Sequence, residues 1–160
     1  MAKKKDKSDA PAPRAVNKKA YHNFEIVEKV EAGVALVGTE VKSLRDAGAD
    51  LDSSFARIIR NECWLVGCKI APYVNADDAA NHDPQRNRKL LLHKKQIAKL
   101  TVKLEQRGFT LIPLKFYFNS RGLAKMELAL ARGKRQYDKR KTIAERTQKR
   151  DLDRDMKKYR

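Results

Sequence analysis

Residues 109–131 read FTLIPLKFYFNSRGLAKMELALA, and this stretch indicates the fold class. The run 109–118 is mostly apolar and aromatic, as expected of a strand, and residues 119–122 (NSRG) have the composition of a turn. Residues 123–131 then alternate with the period of two that places successive side chains on opposite faces of a strand. One face carries Ala124, Met126, Leu128 and Leu130. The stretch therefore predicts an antiparallel hairpin.

Shorter apolar segments nearer the N-terminus predict two further strand pairs. Phe24–Val30 and Val34–Val37 flank a turn at 31–33 (EAG), which is the pattern of a short hairpin. Residues 53–60 and 63–70 form a second pair joined by a tight turn. Strands thus outnumber helices along the chain, and the βαβ alternation typical of a parallel sheet is not seen.

Two segments predict helices. Thr39–Arg45 predicts a brief helix, with Val41 and Leu44 three residues apart on one face. Arg88–Arg107 predicts a longer helix with an apolar face and a stop at Gly108, or two helices that meet near Ala98–Thr101. The whole pattern predicts a mainly β domain with peripheral α-helices, built as a small closed or partly closed antiparallel barrel.

The charge of the chain is large and unevenly placed. Its 160 residues include 37 lysines and arginines against 20 aspartates and glutamates, a formal net charge of +17. Residues 1–19 carry +5, residues 20–131 carry +4 and residues 132–160 carry +8. A strongly basic protein most often binds nucleic acid, because counterions released from neutralised phosphates drive the association. The alternative is a charge excess that only keeps the protein in solution.

The composition also limits the setting in which the protein works. No stretch approaches the ~18 apolar residues that a membrane span needs, and the N-terminus MAKKKDKSDAPAPRA lacks the apolar core of a secretory signal. Cys63 and Cys68 are too few for a disulfide framework and lack the CxxC spacing of a metal site. We therefore expect a cytoplasmic protein without a membrane partner.

Charge and apolar content divide the chain into three regions. Residues 1–16 have almost nothing to bury and predict a disordered basic arm, residues 17–131 predict the folded domain, and residues 132–160 form a basic tail. The tail has no β pattern and no proline, and Thr142 and Glu145 make a capping box. On a helix, one side would carry Arg146, Arg150, Arg154 and Lys158, and the other Leu152, Met156 and Tyr159. We expect a tail that is unstructured alone and helical against a polyanion; a solvated helix or plain disorder fits the same pattern.

Catalytic and metal-binding patterns are not seen in the sequence. It contains no P-loop, dinucleotide glycine fingerprint, HExxH or GxSxG motif. The three histidines are scattered and are interpreted as ordinary surface or helix residues: His22, His82 and His93. We therefore predict no catalytic residue, metal, cofactor or small-molecule substrate. The alternative is a basic nuclease whose metal would be held by Asp77, Asp78 or Asp83.

Residues suited to nucleic acid occur ahead of the predicted 88–107 helix. Arg86, Arg88 and Lys89 would lie in the loop and first turn, where backbone N–H groups add an anion site. Lys125 would point outward from its strand toward a phosphate. Aromatic residues in strands are more often core than stacking platforms. Both roles stay open for Trp64, Phe116, Tyr117 and Phe118.

Seven short motifs lie in order along the chain: Asn17–Ala20, Glu31–Gly33, Gly38–Arg45, Asp83–Leu92, Gly122–Lys125, Ala129–Lys134 and Asp138–Arg140. In sequence, order and spacing they resemble the SmpB family, the small protein partners of transfer-messenger RNA in bacterial ribosome rescue. The resemblance extends from about residue 17 to the end of the chain.

This resemblance implies an oligonucleotide-binding-fold (OB-fold) barrel with about three peripheral helices, which agrees with the strand count. It implies binding to the tRNA-like domain of transfer-messenger RNA, with the barrel where an anticodon arm would lie. The basic tail would enter the empty mRNA channel at the decoding region of the small ribosomal subunit and fold there as a helix. Elongation factor Tu with GTP would join through the RNA complex, and trans-translation would tag the nascent chain for proteolysis. The residues alone leave open a basic structural ribosomal or RNA-chaperone protein.

The resemblance also carries site residues onto this chain. Four RNA-facing positions of the family match Asn17, Glu31, Leu91 and Lys125. Neighbouring residues that we expect to contribute are Lys18, Lys19, His22, Arg86, Arg88 and Lys89. The ribosome-facing tail residues are Tyr137, Asp138, Lys139, Arg140, Arg146, Arg150, Arg154 and Met156. Family tails often carry a bulky apolar pair near the end, of which Met156 supplies one half because Asp155 precedes it.

Overall fold

The computed structural model of the protein describes residues 14–134. Within that range the strands are β1 (Ala15–Val16), β2 (Phe24–Val34), β3 (Phe55–Ile59), β4 (Glu62–Val66), β5 (Arg88–Leu91), β6 (Phe109–Phe118) and β7 (Ala124–Gly133). The helices are α1 (Lys18–Asn23), α2 (Gly38–Asp46) and α3 (Lys94–Leu104), with a single 3-10 turn at Asp78–Ala80. None of these helices is long and apolar enough to cross a membrane.

The strands form one antiparallel sheet that closes on itself. The strand order is β1-β6-β3-β4-β5-β2-β7, and β6 also pairs with β7, so six strands make a ring and β1 adds to the outside of β6. The interior of the ring holds the main apolar cluster, which includes Leu65, Leu90, Leu111 and Leu128. The predicted fold class, mainly antiparallel β with peripheral helices, is therefore confirmed.

The C-terminal hairpin is also confirmed, and it is the longest local pairing in the sheet. β6 and β7 pair from Phe109–Arg132 to Phe118–Ala124, with one irregularity after Pro113, whose ring nitrogen has no hydrogen to donate to the ladder. Met126, Leu128 and Leu130 face the ring interior, as the alternation predicts. The opposite face of the same strand packs with α1 in a second apolar cluster.

The short hairpin predicted at 24–37 is wrong, because β2 runs without a turn from Phe24 to Val34. Along this length β2 pairs with β7, from Phe24–Gly133 to Gly33–Lys125. Residues 31–33 have a composition that is typical of a turn, but pairing with β7, about a hundred residues away along the chain, keeps them extended. Gly33 instead permits a close approach between strands, because a Cβ on it would lie 3.3 Å from the Cβ of Leu91.

The first part of the helix predicted at 88–107 is also wrong. Residues 88–91 form β5, which lies between β4 and β2, and α3 begins only at Lys94. Arg88 and Leu90 point inward and are buried, whereas Leu91 is exposed, which is the period of two of a strand. Four residues are too few for this period to be distinguished from one turn of an apolar helix.

The remaining predictions in the N-terminal half hold with changed bounds. The predicted 39–45 helix is α2, whose Leu44 is buried in the main cluster. The predicted 53–60 and 63–70 strands are the shorter β3 and β4, and the turn between them places Arg60 and Asn61 at positive φ, the conformation expected of a tight hairpin.

The prediction that residues 1–16 form a disordered arm is wrong at Ala15 and Val16, which form β1, and residues 1–13 lie outside the described residues. These residues pair with Phe116 and Lys115 of β6. The sequence pattern also missed α1, a helix of six residues that follows β1 directly. This short helix is stabilised by the burial of Ala20 against β6 and β7 rather than by an apolar periodicity of its own.

Candidate nucleic-acid interface

Three of the four residues predicted to face RNA from the family resemblance come together on the outer surface of the ring. Gly33 of β2 pairs with Leu91 of β5 on one side and with Lys125 of β7 on the other. Glu31 lies two residues earlier on the same face of β2. Because Gly33 has no side chain, a groove opens between these residues, and Leu91 remains 54% exposed at its edge.

The charged part of this groove is held by hydrogen bonds. The ammonium of Lys125 lies 3.0 Å from one carboxylate oxygen of Glu31, and the hydroxyl of Tyr117 donates to the other oxygen. Tyr117 and Lys125 are direct cross-strand partners on β6 and β7, so the hairpin sets their spacing. The hydrogen bonds from Tyr117 and Lys125 lower the pKa of Glu31, and burial together with the Glu31 hydrogen bond raises the pKa of Tyr117. The Glu31 side chain in the groove is therefore a carboxylate at neutral pH.

The groove has a volume of about 490 Å³ and continues along α3. Its apolar surface includes Leu91 and Leu100, and its far rim carries His93, Gln96 and Lys99. A carboxylate acceptor, an ammonium and an exposed leucine within one cleft can contact an amino or hydroxyl group, a phosphate and the face of a base or sugar respectively. This combination makes the groove the candidate nucleic-acid interface.

Asn17 does not line this groove and is buried, with 2% of its surface exposed. It caps α1: its side-chain oxygen accepts from the Ala20 N–H at 2.9 Å, and its side-chain nitrogen donates to the Leu51 carbonyl at 3.0 Å. The structure thus gives Asn17 an architectural role. Direct RNA contact by its side chain would require these bonds to open.

Of the basic neighbours of Asn17, Lys19 lines a separate, smaller cavity of about 220 Å³, whereas Lys18 and His22 do not. Lys19 forms an ion pair with Asp52 at 2.6 Å, and Lys18 is exposed. His22 lies on α1 with its Nδ1 3.1 Å from the side-chain oxygen of Asn23. None of these three basic residues lines the groove, and the RNA contacts expected of them remain predictions.

The anion site predicted at the start of a helix near residue 88 is wrong, because a strand begins there. Arg88 is completely buried, and its Nε donates to Glu40 at 2.8 Å while its terminal nitrogens donate to the carbonyls of Cys68 and Pro84. Arg86 donates to the same carboxylate at 2.7 Å. Lys89 points outward on β5 and pairs with Glu62 of β4. Of the three basic residues, Arg88 is part of the core.

The interpretation of His82 as an ordinary surface or helix residue is wrong, because this residue is buried in a loop. The imidazole of His82 is buried, with Nδ1 2.9 Å from the Thr39 hydroxyl and Nε2 3.2 Å from the Ile70 carbonyl. Burial raises the pKa of both cysteine thiols to about 11, so neither is a thiolate at neutral pH. Across residues 14–134, no group of three His, Cys, Asp or Glu side chains is placed to hold a metal ion.

The sequence reasoning missed Tyr117 as a groove residue, although the signal was present. The predicted hairpin with its turn at 119–122 pairs residues on either side of that turn, which brings Tyr117 opposite Lys125. The other predicted site residues lie in the tail, outside the described residues: Tyr137, Asp138, Lys139, Arg140, Arg146, Arg150, Arg154 and Met156.

A closed ring of antiparallel strands with a charged and apolar groove on its outer surface is an architecture found among small nucleic-acid-binding β proteins. The family model described as SmpB protein matches residues 14–158. The chain belongs to the SmpB family.

Similar proteins support this membership over nearly the whole chain. The SsrA-binding protein of Syntrophobacter fumaroxidans is 54% identical over 138 residues, which cover 86% of this chain and 84% of that protein. The SsrA-binding protein of Levilactobacillus brevis is 48% identical over 159 residues, which cover 99% of this chain and all of that protein (100%). A chain of the solved structure described as "tmRNA-SmpB: a journey to the center of the bacterial ribosome" matches with a TM-score of 0.66 and 51% identity, over 82% of this chain and 95% of that chain.

Proposed function

We propose that this protein binds the tRNA-like domain of transfer-messenger RNA and delivers that RNA to stalled ribosomes for trans-translation. The observation that carries the proposal is its likeness to the chain of the tmRNA-SmpB structure, at 51% identity over 82% of the present chain. The names of the relatives, which are SsrA-binding proteins, support the same RNA partner. The stalled ribosome would be rescued, and its nascent chain would be tagged for proteolysis.

The groove is the part of the described protein that we assign to the RNA. Lys125 exchanges its partner Glu31 for a phosphate, and the freed carboxylate accepts from a base amino group or a ribose hydroxyl. Leu91, exposed at the groove edge, packs against a base or sugar. Recognition of this kind depends on shape and on a few placed side chains, which suits a folded RNA domain.

The basic tail is the part that we assign to the ribosome. Residues 132–160 carry a formal charge of +8 and would occupy the empty mRNA channel near the decoding region of the small subunit. Elongation factor Tu with GTP would join through the RNA and not through a site on this chain. The protein would then act as a binding partner without a catalytic step, in the cytoplasm where ribosomes work.

A salt titration of RNA binding tests the groove assignment. Lys125→Ala is expected to weaken binding of the isolated tRNA-like domain and to reduce the slope of log K against log [salt] by about one unit, because one phosphate contact is lost. Lys115→Ala is the matched control, since Lys115 is a half-buried lysine on the neighbouring strand, outside the groove lining. An unchanged slope for Lys125→Ala would show that this ammonium does not touch a phosphate.

A pull-down separates the proposal from a structural ribosomal or RNA-chaperone protein. A rescue factor is expected to co-purify with transfer-messenger RNA and to leave ribosomes on washing. Retention on salt-washed ribosomes at one copy per ribosome would contradict the proposal and favour the structural alternative.

A further inference from the structure

The outer face of β3, β4 and β5 is a second surface that the groove does not use. Its outward side chains alternate with the buried Ala56, Cys63, Leu65, Arg88 and Leu90, and they are Phe55, Arg57, Ile59, Glu62, Trp64, Val66 and Lys89. We call these seven residues the β3–β5 face. Helices α1 and α3 pack mainly against β2 and β6, and on the β3–β5 face Phe55 stays 42% exposed and Ile59 stays 40% exposed.

The centre of this face is a tryptophan between two cationic side chains. In the sheet register Trp64 pairs with Arg57 of β3 on one side and with Lys89 of β5 on the other. Direct cross-strand neighbours have Cβ atoms about 4.5–5.5 Å apart, so Arg57 and Lys89 flank Trp64 on the outer face of the sheet. Arg57 is exposed, and Lys89 pairs with the carboxylate of Glu62 on the same face.

The charge of the face indicates what kind of partner would cover it. The face and its turn hold three cations, Arg57, Arg60 and Lys89, against the single carboxylate of Glu62. The centre of a protein interface is depleted of lysine, whereas here Lys89 lies directly beside the central aromatic. An aromatic platform with cations on both sides is the arrangement that binds unpaired nucleic acid, because any base can stack and the phosphates lie beside it.

We propose that the β3–β5 face binds an unpaired segment of the same RNA that occupies the groove, with one base stacked on Trp64 and phosphates at Arg57 and Lys89. The two surfaces are continuous, because Lys89 of the face and Leu91 of the groove project from the same side of β5. In naming this RNA as the source of the segment, the inference rests on the proposed function. The residues that carry it are all outside the groove lining.

The chain contains a single tryptophan, so its fluorescence reports directly on this face. A 12-nucleotide oligouridylate is expected to quench the fluorescence of the full-length protein in a saturable, salt-sensitive way, and a duplex RNA of equal length is expected not to. Arg57→Gln is expected to weaken the oligouridylate affinity severalfold. Lys115→Ala, a lysine variant outside both the groove lining and the β3–β5 face, is expected to leave the quenching curve unchanged.

Binding of whole transfer-messenger RNA tests whether the face and the groove share one ligand. Trp64→Leu is expected to lower that affinity roughly tenfold, and Trp64→Phe, which keeps a ring for stacking, is expected to restore most of it. Tyr73→Leu is the matched control. It also removes an aromatic ring that lies beside a cation, Lys42, but in a loop away from the β3–β5 face. Thermal melts of each variant, compared with the wild type, verify that the fold is retained.

Several outcomes would overturn the proposal. One is the absence of quenching by oligouridylate; another is an RNA affinity that Trp64→Leu leaves unchanged. A third is sedimentation showing a wild-type dimer that Trp64→Leu dissociates, which would assign the face to a second copy of the chain. If the wild type fails to bind transfer-messenger RNA at all, the proposed function fails, whereas the oligouridylate titration still decides whether the face binds unpaired RNA.

Discussion

At the scale of single residues, the most consequential group in the described protein is the carboxylate of Glu40. It is completely buried and accepts from the backbone N–H of Val37 at 2.9 Å and from the guanidinium groups of Arg86 and Arg88. Burial alone would raise the pKa of Glu40, but the hydrogen bonds from Arg86 and Val37 and the charges of both arginines lower it. The side chain thus joins the start of α2 to β5 and to the loop that precedes β5.

Replacing Glu40 with glutamine is expected to lower the free energy of unfolding by about 3 kcal/mol, because the buried Arg88 is left without its counter-charge. The pKa of Glu40 is lower in the folded than in the unfolded protein, so its stabilising effect is present above the unfolded pKa and is lost as the pH falls through the folded one. Urea unfolding at several pH values measures both effects. The exposed Glu25→Gln is the control, and an equal loss in both variants would contradict a special role for Glu40.

Tyr117 is the residue expected to position the groove carboxylate. Tyr117→Phe removes the hydroxyl that donates to Glu31, so the pKa of Glu31 is expected to rise toward its ordinary value. An NMR titration of the Glu31 carboxyl measures this shift. RNA affinity is expected to fall about fivefold, equivalent to one hydrogen bond of about 1 kcal/mol. Tyr21→Phe, on α1, serves as control, and an unmoved Glu31 pKa would show that Lys125 alone holds the carboxylate.

At the scale of whole elements, the separation along the chain between paired strands decides which elements can be predicted from the sequence. The β6–β7 hairpin was predictable because its partners adjoin one turn and its alternation persists over nine residues, 123–131. β5 was not, since its four residues become a strand only between β4 and β2. The groove shows the same contrast between local and distant pairing. The alternation within its own strand was enough to place Lys125 on an outward face. Its position beside Glu31 and Leu91 depends on the pairing of β2 with two distant strands.

The attachment of β1 gives a prediction at this scale. Gly48 has φ +81°, and a Cβ there would lie 2.6 Å from the Arg14 carbonyl oxygen, at the residue that precedes β1. Gly48→Ala is expected to cost about 2 kcal/mol of unfolding free energy and to speed hydrogen exchange at the Arg14 and Asn17 amides, which donate to β6.

Gly38→Ala is the control for that substitution, because a Cβ on Gly38 would meet no atom within 4 Å and the residue lies at the start of α2. It is expected to be neutral or to stabilise by up to ~1 kcal/mol. Equal destabilisation by the two alanines would show that the contact with Arg14 is not the cause.

At the scale of the whole molecule, most of the net positive charge lies outside the folded core. Residues 20–131 carry only +4, and the arginine pair at Glu40 shows that part of even this charge serves the core and not a ligand. The excess at the C-terminal end begins inside the fold, however, because β7 continues through Gly133. The backbone N–H of Lys134 donates to the Asn23 carbonyl at 3.0 Å, and its side chain donates to the Tyr21 carbonyl.

Two truncations therefore differ in a way that tests the division between RNA-binding core and ribosome-binding tail. A chain ending at Lys134 keeps all of β7 and is expected to bind the tRNA-like domain almost as tightly as the full protein, yet to support no tagging in a reconstituted translation reaction. It lacks residues 135–160, which hold 11 basic and 5 acidic side chains.

A chain ending at Ala131 also loses the pairings of Arg132 and Gly133 with β2 and of Arg132 with β6. It is expected to be less stable by about 3 kcal/mol, since several hydrogen bonds of about 1 kcal/mol are removed. Tagging by the chain ending at Lys134, or loss of its RNA binding while its melting temperature is unchanged, would contradict the division.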